Sequence, residues 1–212
     1  MGLKESQAEH WRGKSKEIIE SYWTSSKAIE RSKWFAQQLK KYKFNSIFEV
    51  GFFSGRNLHY IKEAFPSVSI AGLDINAKAT RYAREKLGLD KDLYCMDLHS
   101  MGDIGETFDV VFTSGVAIHV PPDDVAGVLK LLIGLSNKYV MHIEQIGGNI
   151  LEKGPKHLKP NYKVSDQIQW SPDLLSMYEN LGYAPDVIPL PDECRTNGGT
   201  HLLIIDLQRR LK

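Results

Sequence analysis

Apolar positions along this chain change period several times, and the changes predict an alternation of helices and strands. Over residues 4–42, Trp11, Ile18, Ile19, Tyr22, Trp23, Ile29, Trp34, Phe35 and Leu39 recur at near-helical spacing, which predicts one or two amphipathic helices before the first strand. Short apolar runs then alternate with helical patterns: strand 46–50, helix 55–64, strand 68–73, helix 77–87 and strand 93–96. A loop containing Gly102 and Gly105 leads to strand 109–114, helix 122–136 and strand 138–144. Pro121-Pro122-Asp123-Asp124 supplies the proline and acidic residues that suit a helix start. The stretch 145–169, with Gly147-Gly148, Gly154-Pro155 and Lys159-Pro160, reads as a long irregular loop, and loops of that length are usually functional or mobile. Ser171-Pro172-Asp173 caps a helix over 173–181, and strands near 184–190 and 201–207 follow. Such alternation implies a mostly parallel, doubly wound sheet.

Composition narrows the picture. A chain of 212 residues with 42% hydrophobic content and a net charge of +1 suits one compact unit with a sizeable core. No apolar run approaches the ~20 residues that span a bilayer. Met-Gly-Leu-Lys-Glu-Ser is unlike a signal peptide, so a cytoplasmic protein without membrane contact is expected. Cys95 and Cys194 are far apart, the histidines lack metal-ligand spacing, and no metal is expected. Residues 1–45 hold ten basic and five acidic residues, an excess of +5 against −4 for the remainder. The charges are interspersed, as on a solvated helix face, so nucleic acid is disfavoured as a partner.

The strand ends carry the chemistry. Ile47 to Asn57 is a strand ending in a carboxylate, Glu49, followed by a turn bracketed by Gly51 and Gly55. Glycine relaxes the backbone limits there, and free N–H groups of the turn and of the next helix are expected to face a polar ligand. Asp74 closes the second strand about 20 residues beyond the turn, where an acceptor for ribose hydroxyls is expected. Asp97 closes the third, and Thr113-Ser114-Gly115 the fourth. In an open parallel sheet these ends meet at one edge.

The order Glu49, Gly51, Gly55, Asp74, Asp97 resembles the motifs of the class I S-adenosylmethionine-dependent methyltransferases, over about residues 44–145 and more loosely to 207. The run Phe112-Thr-Ser-Gly-Val-Ala-Ile-His-Val-Pro-Pro-Asp-Asp is similar to small methylases of sugar biosynthesis, including those linked to pseudaminic acid. The resemblance implies an α/β Rossmann-like methyltransferase fold: a doubly wound, mostly parallel sheet of seven strands with a terminal antiparallel pair. It further implies an N-terminal helical arm or lid over 1–43, a cofactor-binding core over 44–145, a substrate loop over 146–170 and a closing helix and strand pair over 171–212, all in a single domain. S-adenosyl-L-methionine is the implied cofactor. One departure stands out: Phe53 replaces the family's middle glycine, so its ring must turn away from the ligand or narrow the pocket.

On this reading Glu49 accepts a hydrogen bond from the cofactor's ammonium group, and Gly51, Phe53 and Gly55 form the turn beneath it. Asp74 and Ile75 meet the ribose, Met96, Asp97 and Leu98 the adenine, and Ser114 the reacting end. Methyl transfer from a sulfonium is an in-line displacement, so alignment and exclusion of water dominate. A hydroxyl acceptor benefits from a base. His119 is best placed, because its ordinary pKa lies near neutrality, and His142 and Glu144, sharing one face of the fifth strand, are second choices. His157, Lys159, Tyr162 and Lys163 on the long loop suit an anionic or sugar-like substrate.

The expected function is methyl transfer to a small molecule, at a hydroxyl of a sugar or related polar metabolite. A nitrogen- or RNA-directed methyltransferase is one alternative, although Thr113-Ser-Gly-Val stands where such enzymes often carry Asn/Asp-Pro-Pro-Tyr. A non-catalytic binding or scaffold domain is another, motivated by Phe53. The sequence leaves the oligomeric state open.

Overall fold

A computed structural model describes residues 3–145, 160–164, 167–170, 172–195 and 200–211. The amphipathic arm forms three helices, α1 (Leu3–Arg12), α2 (Lys16–Thr24) and α3 (Ser26–Leu39), where one or two were expected. Ser25, extended at φ −61° and ψ 115°, ends α2 and begins α3, so the aromatic positions are divided among helices that point different ways. Trp34 packs on the sheet-flanking core, Trp23 meets His59 and Tyr82, and Trp11 meets Phe53 and His119.

The alternating section follows the expected order: β1 (Ser46–Val50), α4 (Arg56–Ala64), β2 (Ser69–Asp74), α5 (Ala77–Leu87), β3 (Leu93–Cys95), β4 (Phe108–Ser114), α6 (Pro122–Leu135) and β5 (Ser136–Gln145). The glycine-containing connection after β3 is a 3-10 helix, Leu98–Asp103, rather than a plain loop, and a second short 3-10 helix spans Ala117–His119. Part of the expected irregular loop is a hairpin of β6 (Pro160–Val164) and β7 (Gln167–Trp170). His157 and Lys159 lie outside the described residues, while Tyr162 and Lys163 belong to β6. The chain closes with α7 (Leu174–Asn180), capped by Asp173, then β8 (Asp186–Pro189) and β9 (Thr200–Asp206).

Seven strands form one sheet in the order β3-β2-β1-β4-β5-β9-β8, and β6-β7 form a second, two-stranded sheet. Pairs from β3 to β5 are parallel, while β9 runs antiparallel to both β5 and β8. Strand alternation sends successive side chains to opposite faces. Ile47, Val110, Phe112 and Met141 meet α3, α4 and α5 on one face, and Phe48, Val111 and Val140 meet α6 and α7 on the other. With both faces covered, the strands are buried along most of their length. Strand order reverses between β1 and β4, which opens a crevice at their carboxyl ends. Among the described residues, no helix is long and apolar enough to cross a membrane.

Candidate functional site

The crevice holds a cavity of about 170 Å³, more than ten times what one water molecule needs. Its wall takes Glu49 and Gly51–Ser54 from β1 and the glycine turn, Leu73–Ile75 from the end of β2, and Asp97–His99 beyond β3. Ser114–Val116 and His119–Pro121 close a second side, and the arm contributes Gln7, Ala8, Trp11, Tyr22 and Arg31. Of the expected cofactor residues, Glu49, Gly51, Phe53, Asp74, Ile75, Asp97, Leu98 and Ser114 lie on this wall. Gly55 and Met96 do not. Gly55, at φ 77°, packs beneath the turn, where an added Cβ would lie 2.9 Å from the Ala83 Cβ, and Met96 packs against the core.

The turn differs from expectation in how its donors are used. The N–H groups of Gly51 and Phe52 donate to the Leu73 carbonyl at 2.8 and 3.2 Å, and the Phe53 N–H donates to Asp74 Oδ2 at 2.8 Å. These three donors therefore tie β1 to β2, and side chains supply much of the cavity's polarity. Gly51 is required by packing as well as by its φ of 76°, since a Cβ there would lie 2.6 Å from Val116 Cγ2. Phe53 adopts a left-handed φ of 46°, a conformation costly for a residue with a Cβ. Its ring turns toward the arm, meeting Trp11 edge-on at 5.5 Å and Tyr22 at 4.9 Å.

Glu49 is 1% exposed. One carboxylate oxygen accepts from Asn57 Nδ2 at 2.6 Å, and the other has no hydrogen-bond partner among the described residues. Burial raises its pKa to about 8, against the opposing pull of Asn57 and Arg56. Arg56 reaches Ser32 Oγ at 3.0 Å and the Tyr22 carbonyl, and burial together with nearby Arg31 lowers its pKa to about 10. Both oxygens of Asp74 accept backbone N–H groups, from Phe53 and from Asn76, each at 2.8 Å. Burial still raises its pKa to about 6. Asp97 caps the following 3-10 helix through the His99 N–H at 2.9 Å and holds the His99 ring at 2.7 Å.

His119 ends its 3-10 helix with the ring edge-on to Trp11 at 4.8 Å, and its buried Nδ1 has no partner among the described residues. Desolvation, then His10 and Lys14, lower its pKa to about 3, so the imidazole is neutral.

His142 and Glu144 share a face, as strand alternation implied, but that face lies beneath the cavity wall. Thr113 Oγ1 donates to Glu144 Oε1 at 2.8 Å and lies 2.8 Å from His142 Nδ1, while His142 Nε2 lies 2.8 Å from the Tyr178 hydroxyl. Thr113 has one proton, so the network assigns the histidine proton to Nδ1 and makes Tyr178 the donor to Nε2. Glu144 Oε1 also accepts the N–H groups of Val116 and Ala117, at 2.7 and 3.1 Å. Burial lowers the His142 pKa to about 3 and raises that of Glu144. The pair holds the segment after β4 in place.

Sequence reasoning missed Arg31, Arg56, Asn57 and His99 on this wall. Arg56 and Asn57 directly follow the glycine turn, a signal that was available. Arg31 sits far upstream on α3, where nothing local marks it. Among the described residues, no group of three or more His, Cys, Asp or Glu is arranged to hold a metal ion.

An acid with an unpartnered oxygen, a second acid at the end of β2, and an apolar wall suit a nucleoside carrying an amino-acid group. Residues 47–135 match the family model described as a methyltransferase domain. No curated protein sequence matches the chain. Among solved structures, the chain is similar to DhpI in complex with S-adenosylhomocysteine, at 16% identity and a TM-score of 0.66, covering 99% of this chain and 98% of that one. It is also similar to the sugar N-methyltransferase KedS8 from Streptoalloteichus, at 14% identity and a TM-score of 0.64, covering 93% and 94%. Magnesium protoporphyrin IX methyltransferase from Synechocystis, with S-adenosylmethionine bound, aligns at 12% identity and a TM-score of 0.61, covering 97% of each chain. The matched domain covers the section from β1 to α6, and the likeness to these cofactor-bound structures extends over the whole seven-stranded fold.

Proposed function

We propose that the protein transfers a methyl group from S-adenosylmethionine to a small-molecule acceptor, at a hydroxyl of a sugar or related polar metabolite. The observation that carries this reading is the pairing, across one cavity, of Glu49 with its unpartnered oxygen and His119 with its unpartnered Nδ1. The first suits the cofactor's ammonium group, and the second suits the proton of the acceptor. Asp74 and Ile75 would hold the ribose, Asp97 and Leu98 the adenine, and Ser114 the reacting end.

The cofactor supplies a methyl group on a sulfonium, activated for in-line displacement. The chain's residues align the two partners and remove water, which for such a step is the larger part of catalysis. Trp11, Phe53 and Tyr22 form the apolar side of this enclosure. His119, being neutral, would accept a hydrogen bond from the acceptor O–H and so hold its oxygen in line for the transfer. A pKa near 3 makes it a weak base, so orientation is its main contribution before the carbon–oxygen bond forms, and the acceptor proton, made strongly acidic as that bond forms and the carbon–sulfur bond breaks, would pass to His119 or to water.

A second reading places the methyl group on a sugar amine and is favoured by the likeness to KedS8, a sugar N-methyltransferase. A link to pseudaminic acid rests on the sequence resemblance of residues 112–124. Calorimetric titration of the full chain with S-adenosylmethionine and S-adenosylhomocysteine tests the cofactor assignment. Micromolar binding supports it and justifies incubating hydroxy- and amino-sugars with radiolabelled cofactor; absence of binding by folded protein overturns it.

A further inference from the structure

Asn76 lies in the turn between β2 and α5, fully buried, and both ends of its side chain are in use. Oδ1 accepts the N–H groups of Lys78 and Ala79 at 2.9 and 3.0 Å, capping α5. Nδ2 donates to the carbonyls of Trp11 and Lys14 at 2.8 and 3.2 Å, at the end of α1 and in the link to α2. A cap needs an acceptor alone, and Ser or Asp would serve equally well. The amide donors therefore do something a cap does not require: they tie α5 to the Lys14 carbonyl and to the Trp11 carbonyl, which also accepts the Lys14 N–H at 3.3 Å.

The same residue is joined to the cavity floor. Its backbone N–H donates to Asp74 Oδ1 at 2.8 Å, and Asp74 Oδ2 receives the Phe53 N–H. A continuous chain of hydrogen bonds thus runs from the glycine turn through Asp74 and Asn76 to the arm. Gln7, Ala8 and Trp11 of that arm wall the cavity. Other contacts of α1 include the partly exposed Arg12–Asp97 ion pair at 3.7 Å, long for such a pair and correspondingly weak.

We infer that Asn76 is a positioning residue that latches α1 across the cavity, so that a bound nucleoside exchanges when the Asn76 amide releases the Trp11 and Lys14 carbonyls. The latch rests on hydrogen-bond geometry; its effect on nucleoside exchange rests on the cofactor reading above.

Asn76→Asp keeps the cap acceptor and removes both donors, and Asn76→Ser keeps a capping hydroxyl too short to reach the arm. The full-length variants are compared with the parent by amide hydrogen exchange without ligand, and by stopped-flow tryptophan fluorescence for S-adenosylhomocysteine dissociation. Loss of the two donors is expected to speed exchange over residues 5–14, and nucleoside dissociation, on the order of tenfold, while Lys78 and Ala79 stay protected. A residue that merely stabilised α5 would show the reverse, with its first turn losing protection. Unchanged exchange in the arm overturns the latch. Faster exchange with unchanged dissociation overturns its role in nucleoside exchange. If the parent itself fails to bind S-adenosylhomocysteine, the cofactor reading falls, and the exchange measurement decides the latch by itself.

Discussion

His142 and Tyr178 share a hydrogen bond of 2.8 Å, both fully buried, with the imidazole on β5 and the phenol on α7. This bond joins the sheet to a flanking helix and holds His142, one of the expected catalytic residues, off the cavity wall. Tyr178→Phe leaves Nε2 without its donor and is expected to lower stability by about 1–2 kcal/mol, as for other buried groups left unsatisfied. Urea unfolding measures the loss, and cofactor affinity should stay at its parent value. Full stability combined with a large loss of methyl transfer would return His142 to the chemistry.

Glu49 couples folding and cofactor binding to pH. Its folded pKa of about 8 lies above the ordinary value of 4.5, so between the two the folded state holds a proton that the unfolded state has released. Stability from this group is complete below pH 4.5 and declines as pH rises toward 8. The lowered values of His119 and His142 act below pH 6.5, because the unfolded histidines are neutral above it. From pH 6.5 to 8 Glu49 should therefore cost the ligand-free protein at most about 1.4 kcal/mol per pH unit, a contribution that Glu49→Gln removes while that of Glu144, also raised by burial, remains. Cofactor affinity should rise over the same interval, as the carboxylate ionises to meet an ammonium group. Equal unfolding profiles for parent and variant would contradict the buried-acid account.

Phe53 sets backbone strain against burial. Replacement by glycine relieves a left-handed residue, worth about 1–2 kcal/mol, but removes a ring packed on Trp11 and Tyr22, and truncating a buried phenylalanine costs about 3–5 kcal/mol. The larger effect should win, leaving Phe53→Gly destabilised on the order of 2 kcal/mol. Chemical denaturation reads the sign directly, and a stabilised variant would mean that the ring contacts contribute little.

His119→Phe retains a ring against Trp11 while deleting the Nδ1 lone pair. With a responsive acceptor in hand, turnover should fall roughly a hundredfold, the scale for losing a group that aligns the acceptor, at constant cofactor affinity. Parallel losses of turnover and cofactor binding would instead mark His119 as a support for the arm.

How far the site could be read from the chain differs residue by residue. That Glu49, Asp74 and Asp97 would lie at the crevice was legible because each is at or just beyond the carboxyl end of a strand, and parallel strands deliver those ends to one edge whatever the details of packing. The bounds of β1 and α5 were legible for a similar reason: a short strand-like run before the glycine turn and a stretch of helical period after the second strand are local patterns. The β6–β7 hairpin was not, since its short strands follow a Gly- and Pro-rich stretch that reads as loop.

For His142 and Glu144, alternation determined that they share a face, but parity alone does not say whether that face meets a ligand or a helix; the packing of α7 decided it. The arm shows the same division. Its helical character is written in local spacings such as Ile18, Ile19 and Tyr22 on α2 or Trp34, Phe35 and Leu39 on α3, whereas the contacts of Asn76 with Trp11 and Lys14 join groups more than sixty positions apart. Periodicity reports which side of an element is apolar because neighbours along a helix or strand stand at set angles. Which distant backbone groups then meet depends on the path of the whole chain, and that was decided by tertiary packing.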